Sequence, residues 1–363
     1  MRGGTAVGAA TPARPDFDTI VHHFAPSWFA AVMGTGVLAV NSFNFGQTYP
    51  PLHALGWVVH WCNVGFFLLL IGPWILRWIR YRPAAVAALR HPVTSQFYAT
   101  IAIALLVLGL QFVLYGHDLR IAAAIWGAGV VLTILFGFLA PWVLFTSDQV
   151  TLAHVHPGMF IPPVGLTVIP LAGNLLAAQA TGAAKEGLLV LDFASLGAGF
   201  FLWLGLLALT VHAFIIGPPL PGEMVPTVWI NLGPIGVSIV SLMGLVAAAP
   251  FVTVKEPFDV GALLLWGFGV WWLVMALSMT LHRRILRDLP FSLTWWAFTF
   301  PLGAFAAASY RLGTLFHLHS VWVVGLLAYG LLVVLWSAAF VNTVLGVLRG
   351  SLFTPPAPVP AKS

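Results

Sequence analysis

Histidine is the residue type in this sequence with the widest chemical repertoire, because its imidazole can carry protons, bind metals or ligate haem. Twelve histidines are present, and six stand out by position: His60 and His212 in long apolar segments, and the closely spaced pairs His154 with His156 and His317 with His319. Haem needs facing histidines on neighbouring helices, and a metal needs cysteines or carboxylates nearby. We therefore predict no cofactor, no metal and no catalytic site, and expect the paired histidines to be solvated loop residues.

Charged side chains inside apolar segments usually mark proton relays, counter-ions or substrate sites. Asp192 and Arg311 fall near the predicted ends of two segments, where they can reach the polar interface. No lysine falls inside a segment, which excludes a retinal Schiff base. A proton-driven pump usually needs an ionisable relay, so this scarcity favours a passive pore.

The elements that must position these residues are membrane helices. Apolar residues make up 60% of the 363 residues and charged residues only 7%, whereas a soluble domain carries roughly a quarter of charged residues. Backbone polar groups in lipid must be paired internally, which leaves helices or closed barrels. Long continuous apolar runs such as 121–144 and 321–347 lack the period-two alternation of barrel strands. The predicted fold class is an all-α integral membrane protein.

We predict ten transmembrane helices within one domain over residues 20–349. The predicted spans are 26–44, 55–78, 93–115, 121–144, 158–178, 190–216, 226–248, 259–281, 295–313 and 321–347. Residues 1–19 and the proline-rich 350–363 are expected to be short disordered tails. Residues 1–20 lack the apolar core of a cleavable signal peptide.

Basic residues indicate the orientation. The net charge of +5 does not point to nucleic acid, because basic residues in a multi-pass protein mark its cytoplasmic loops. With ten spans, eleven of the 15 basic residues share one side: Arg2, Arg14, Arg77, Arg80, Arg82, Arg90, Arg283, Arg284, Arg287, Arg349 and Lys362. We therefore expect a multi-pass protein of the cytoplasmic (inner) membrane with both termini in the cytoplasm.

Prolines recur at intervals of about 70 residues in or beside the odd-numbered spans, at Pro26, Pro92, Pro162, Pro234 and Pro301. An interior proline lacks an N–H donor and bends its helix. Such helices are tolerated where they line a cavity or are buried in protein. The interval matches one helical hairpin, so five hairpins with kinked inner helices would form a ring around a channel. Prolines are also common in membrane helices generally, and their spacing alone leaves the ring open.

Three segments resemble one family of membrane proteins. They are FAPSWFAAVMGTG at 24–36, VPTVWINLGPIG at 225–236 and WWAFTFPL at 295–302. Together they are similar to the tellurite-resistance/dicarboxylate transporter family, which includes TehA, the plant slow-type anion channels, fungal malate permeases and sulfite exporters. The resemblance extends over all ten predicted spans. Residues 157–163 depart from the family pattern.

The resemblance implies ten helices arranged as five hairpins in a quasi-five-fold ring around a central pore, in a homotrimer. It also implies a phenylalanine that closes the pore, and the matching residue is Phe300. Pro301 cannot donate to the Ala297 carbonyl, and the bend would direct Phe300 into the lumen, where an apolar side chain excludes water. The predicted pore-lining or kink residues are Gly34, Thr35, Gly36, Pro162, Gly233, Pro234 and Pro301. Small residues such as those at 34–36 also allow close helix packing, and the sequence alone favours packing over a pore-lining role.

The predicted function is therefore passage of small anions across the lipid bilayer through a phenylalanine-gated central pore. Inorganic anions, sulfite and C4-dicarboxylates are the candidate substrates. The alternative on the same scaffold is a proton-coupled exporter of dicarboxylate or sulfite. A membrane oxidoreductase is a third class, and it would absorb visible light.

Overall fold

The computed structural model describes residues 15–148 and 150–353, and this part of the chain contains helices and no strands. Its α-helices are α1 (Phe17–His22), α2 (Ala30–Gly46), α3 (Pro50–Arg80), α4 (Arg82–Arg90), α5 (Ala99–Leu114), α6 (Leu119–Thr146), α7 (Ile161–Gln179), α8 (Gly182–Ile216), α9 (Leu232–Ala248), α10 (Glu256–Ile285), α11 (Thr299–Leu315) and α12 (His319–Arg349). The predicted all-α class is confirmed.

Nine helical stretches within the described ranges are long and apolar enough to cross a membrane. Their burial alternates along the chain. The stretches that contain α2, α5, α7 and α9 are mostly buried inside the protein, whereas those formed by α3, α6, α8, α10 and α12 are mostly accessible. Helix α11 is not among the nine, yet it is buried along most of its length. We call α2, α5, α7, α9 and α11 the inner helices, and α3, α6, α8, α10 and α12 the outer helices.

Each inner helix packs against the outer helix that follows it in the chain. The inner helices also contact one another, in the pairs α2–α5, α5–α7, α7–α9, α9–α11 and α11–α2. Large apolar side chains such as Leu69, Phe138 and Leu264 are exposed on the outer helices. The inner helices therefore have protein on most sides, whereas the outer helices present an apolar face that suits lipid.

A 3₁₀ helix precedes each inner helix: Pro26–Phe29, Thr94–Tyr98, Pro157–Phe160, Gly222–Asn231 and Leu293–Phe298. Pro162, Pro234 and Pro301 follow directly, as the second or third residues of α7, α9 and α11. Backbone N–H groups of a first turn have no intrahelical partner, so proline is tolerated there. These prolines mark the change from 3₁₀ to α geometry, and the kinks predicted at them stay a prediction. The inner helix α7 also contains a proline in its interior, Pro170.

A polar side chain on each outer helix bonds to the inner helix of the next hairpin, or to the 3₁₀ helix before it. The five hydrogen bonds join His60 Nδ1 and Gln111 Oε1 (2.8 Å), Trp126 Nε1 and the Ile169 carbonyl (2.9 Å), Trp203 Nε1 and Asn231 Oδ1 (2.7 Å), Trp266 Nε1 and Ser309 Oγ (2.8 Å), and Trp336 Nε1 and Thr35 Oγ1 (3.0 Å). The last of them joins the final outer helix to the first inner helix. Each bond contributes roughly 0.6–2 kcal/mol in a membrane.

Both predicted tails are partly ordered. The Asp16 carboxylate accepts a hydrogen bond from the Thr19 N–H at 2.8 Å and caps α1. At the other end, Phe353 is buried and stacks on Trp28 with ring centres 5.6 Å apart. Parts of residues 15–19 and 350–353 are therefore folded, whereas 1–14 and 354–363 lie outside the described part of the chain.

Candidate functional site

Two cavities lie between the inner helices, and Phe300 contributes to the wall of both. Their volumes are about 210 Å³ and about 780 Å³. All five inner helices contribute to each wall, and no outer helix does. Among the described residues Phe300 alone is shared, so the two cavities approach each other at this side chain.

The larger cavity lies at the N-terminal ends of the inner helices. Seven hydroxyl side chains belong to its wall: Ser27, Thr94, Thr100, Thr227, Ser292, Thr294 and Ser351. The first backbone N–H groups of a helix are unpaired and carry a partial positive charge. Glu223 is the one charged residue on this described wall, and it is exposed. Most of these hydroxyl groups already donate to backbone carbonyls, as Thr100 does to Pro26, so the partial positive charge of the helix N-termini is what favours an anion here.

The smaller cavity is bounded by the C-terminal parts of the inner helices. Its wall is mostly apolar, with side chains such as Val37, Val107 and Leu171. Arg311 is exposed and is the one charged residue among the described residues of this wall. Asn174 Nδ2 donates to the Ser241 carbonyl at 3.2 Å and so ties α7 to α9. An anion in this cavity would therefore meet a single cationic group.

Phe300 is the second residue of α11, and its side chain is 5% exposed. Its ring lies beside Gly233 of α9, where an added Cβ would be 3.8 Å from the Cε1 atom of Phe300. Phe298 has different surroundings. It packs edge-to-face against Trp229 and Trp295, with centroid distances of 5.3 and 5.7 Å, and belongs to neither cavity wall. The two phenylalanines thus form a natural pair of test and control positions.

The other predicted site residues divide into two groups. Pro301 and Gly233 lie on the wall of the larger cavity. The second group is buried at helix contacts and belongs to neither wall: Gly34, Thr35, Gly36, Pro162 and Pro234. A Cβ at position 34 would overlap the side chain of Thr299 on α11. Gly34 is therefore a packing position, and a pore-lining role for this second group stays a prediction.

Asp192 does not reach the interface, contrary to prediction. Its side chain is 0% exposed, and neither carboxylate oxygen has a hydrogen-bond partner in the described chain. The reason is the length of α8, which begins at Gly182 rather than at the predicted residue 190. Asp192 therefore lies about 15 Å along the helix instead of at its end. Arg311, by contrast, is exposed as expected.

The histidines have structural surroundings that spacing did not predict. His60 Nε2 lies 3.0 Å from Nε2 of His117, in the loop before α6. His156 is buried rather than solvated, and its Nδ1 accepts a hydrogen bond from the Gly158 N–H at 3.0 Å. Burial, and secondarily the nearby His154, lowers the pKa of His156 to about 4. Across the described residues, no group of three histidine, cysteine or acidic side chains could hold a metal.

Known proteins resemble this chain over the region that contains both cavities. A family model described as SLAC1, voltage-dependent anion channel, matches residues 23–344. An uncharacterized transporter of Methanocaldococcus jannaschii is 44% identical over 334 residues, which are 92% of this chain and 96% of that protein. A sulfite efflux pump of Trichophyton rubrum is 25% identical over 353 residues (92% and 93%). A malic acid transport protein of Schizosaccharomyces pombe is 23% identical over 317 residues (80% and 71%).

Proposed function

Because the chain belongs to the voltage-dependent anion channel family, we propose that it carries small anions across a membrane through the two cavities between its inner helices. The family resemblance predicted from residues 24–36, 225–236 and 295–302 is confirmed by this membership. The named relatives are transporters, which agrees with a role other than catalysis. The observation that carries the proposal is the position of Phe300 between two cavities enclosed by the same five helices.

The proposed pathway is a central pore within a ring of five hairpins. The contacts between inner helices support it, since they pass from α2 through α5, α7, α9 and α11 back to α2. The hydrogen bond between Trp336 of α12 and Thr35 of α2 supports closure of the ring where the last hairpin meets the first inner helix. In this arrangement the outer helices separate the pathway from lipid.

Anion selectivity in this pore has two sources. The N-terminal ends of the inner helices add partial positive charge at the larger cavity. Arg311 supplies a full positive charge at the other end, where helix C-termini alone would repel anions. Glu223 opposes these effects at the mouth of the larger cavity, but its exposure to solvent reduces its influence.

The proposed gate is Phe300. An anion that passes a narrow apolar constriction must lose part of its hydration shell, which makes a dewetted constriction a barrier to ions. The Phe300 side chain occupies such a position, with space on both sides. Movement of this one side chain would join the two cavities.

The proposed substrates are inorganic anions, sulfite and C4-dicarboxylates. Relatives include a protein named as a sulfite efflux pump and another named as a malic acid transport protein. Carboxylate and sulfite oxygens carry negative charge, so the positive N-terminal ends of the inner helices at the larger cavity favour both.

Ion-replacement currents in planar bilayers test this proposal. The purified protein is reconstituted, and chloride is replaced in turn by nitrate, sulfite, malate and gluconate. Phe300→Ala is measured beside the wild type so that a closed gate does not hide the pathway. We expect reversal potentials that follow the small anions. Currents that follow the cation instead, or none in either protein, would refute it.

We also propose a homotrimer in the cytoplasmic membrane with both termini in the cytoplasm. Described basic residues that support this orientation include Arg80 at the end of α3, Arg82 at the start of α4, and Arg283 and Arg284 near the end of α10. A reporter that is active only outside the cytoplasm, fused after Ser363, should remain inactive. Light scattering of the purified protein in detergent should give three copies per particle, and a monomer would overturn the trimer.

A further inference from the structure

Asp192 is a buried acid with no hydrogen-bond or salt-bridge partner among the described residues. Its side chain is 0% exposed, and Oδ1 and Oδ2 both lack a hydrogen bond from any described residue. It lies against α7 so closely that a Cβ on Gly173 would overlap its carboxylate. A structural carboxylate in a membrane helix would normally be paired, since an isolated buried charge is costly. This one is not paired.

The helices packed against Asp192 offer no compensating charge. Helices α7 and α9, and the 3₁₀ helix Pro157–Phe160, contain no titratable residue. The nearest ionisable groups along the chain are Lys185 and Glu186, two turns earlier on α8, and neither forms a salt bridge to Asp192 in the described structure. The carboxyl group can therefore lose its charge only by binding a proton from solution.

We propose that Asp192 is a proton-binding site that controls anion passage through the smaller cavity. The step is simple: the carboxylate takes up one proton and becomes a neutral carboxylic acid, and no bond other than the O–H bond changes. Regulation of this kind rests on the proposed anion pathway. Protonation of Asp192 would make anion passage through this scaffold depend on pH, without any charged residue on the cavity wall near Phe300.

The path from Asp192 to the cavity runs through α7. Gly173 contacts the carboxyl group, and the next residue, Asn174, lies on the cavity wall and ties α7 to α9 through the Ser241 carbonyl. The charge of an ionised Asp192 would act on an anion across about one helix diameter, roughly 10 Å. At that distance, through protein, the repulsion lowers anion occupancy by on the order of tenfold. Protonation removes it.

Nitrate currents in planar bilayers test the proposal, since nitrate does not take up protons between mildly acidic and mildly alkaline pH. Measurements use the Phe300→Ala background, with the same pH on both sides. We expect the current to rise on the order of tenfold from alkaline to acidic pH. With Asp192→Asn added, the current should stay at the acidic level throughout. Glu186→Gln, which removes an exposed acid from the same helix, should follow the parent.

Infrared difference spectra provide a second readout that does not depend on transport. A protonated carboxylic acid has its own C=O stretching band, which should change with pH in the wild type and be missing in Asp192→Asn. If nitrate flows but this band is absent, the proton site is refuted while the anion pathway stands. If the band is present but no anion passes at any pH, the anion pathway is refuted while proton binding stands. Equal pH responses in the parent and in Asp192→Asn would also overturn the proposal.

Discussion

Replacing Phe300 by alanine is the most direct perturbation of the proposed gate. It removes the phenyl ring from the one described side chain that belongs to both cavity walls. Water can then fill a continuous path between volumes of about 210 and 780 Å³. A charged group at the apolar centre of a membrane costs about 3 kcal/mol on the insertion scale, which corresponds to roughly a hundredfold in a rate. We therefore expect anion conductance to rise on the order of a hundredfold.

The assay is single-channel and macroscopic current in planar bilayers at equal protein density. Phe300→Leu should remain largely closed, because a shorter apolar side chain still excludes water. Phe298→Ala is the matched control, since this residue packs on Trp229 and Trp295 and lines neither cavity. It should leave conductance low while costing about 3–5 kcal/mol of stability, as expected for a core phenylalanine. Phe300→Ala should cost less, because space already adjoins its ring.

Two results would refute this reasoning. If Phe300→Ala folds normally and conducts like the wild type, the gate lies elsewhere. If Phe298→Ala opens the pore as strongly as Phe300→Ala, loosened packing rather than a specific side chain controls passage.

Three further predictions concern other parts of the molecule. Arg311→Gln in the Phe300→Ala background should lower anion conductance by about two- to fivefold in dilute salt, and the difference should disappear in concentrated salt because exposed charges are screened. Gly34→Ala should lower the melting temperature, because its Cβ overlaps Thr299 and overpacking costs about 1–3 kcal/mol, whereas Gly65→Ala has open space and should not. His156 has a folded pKa of about 4 against an ordinary 6.5, so the unfolded chain binds the proton first as the pH falls. The melting temperature should decline from about pH 6.5 to about pH 4, by an amount equivalent to about 3 kcal/mol, and His156→Asn, which can keep the cap, should reduce that decline. A melting temperature equally sensitive to acid in both proteins would exclude His156 as the cause.

Much of the fold could be predicted because the membrane constrains it so strongly. Continuous apolar runs locate the helices, and the position of Phe300 followed from a motif of eight residues at 295–302. A first-turn proline and an interior proline look alike in sequence, so the spacing of the prolines could not distinguish the two. Only the structure places Pro301 at the start of α11 and Pro170 inside α7.

The errors at Asp192 and His156 share a physical cause. Sequence gives the distance of a residue from a predicted helix end, but not the packing that surrounds it. Helix α8 begins eight residues before its predicted start, which moves Asp192 from the interface into the contact with Gly173. His156 precedes a membrane helix and would be solvated in a free loop, but it is folded inward as an N-cap.

The contact between the first inner helix, α2, and the last hairpin, α11 and α12, also has a consequence for biogenesis. Three polar groups of this first inner helix find their partners in the last hairpin: Thr35 with Trp336, Asn41 with the Gly303 carbonyl, and Ser42 with Tyr329. These partners are synthesised about 260 to 300 residues later. During insertion α2 must therefore stay beside the translocation machinery or another helix rather than face lipid alone, because its side of the molecule is completed only when the final hairpin enters the membrane.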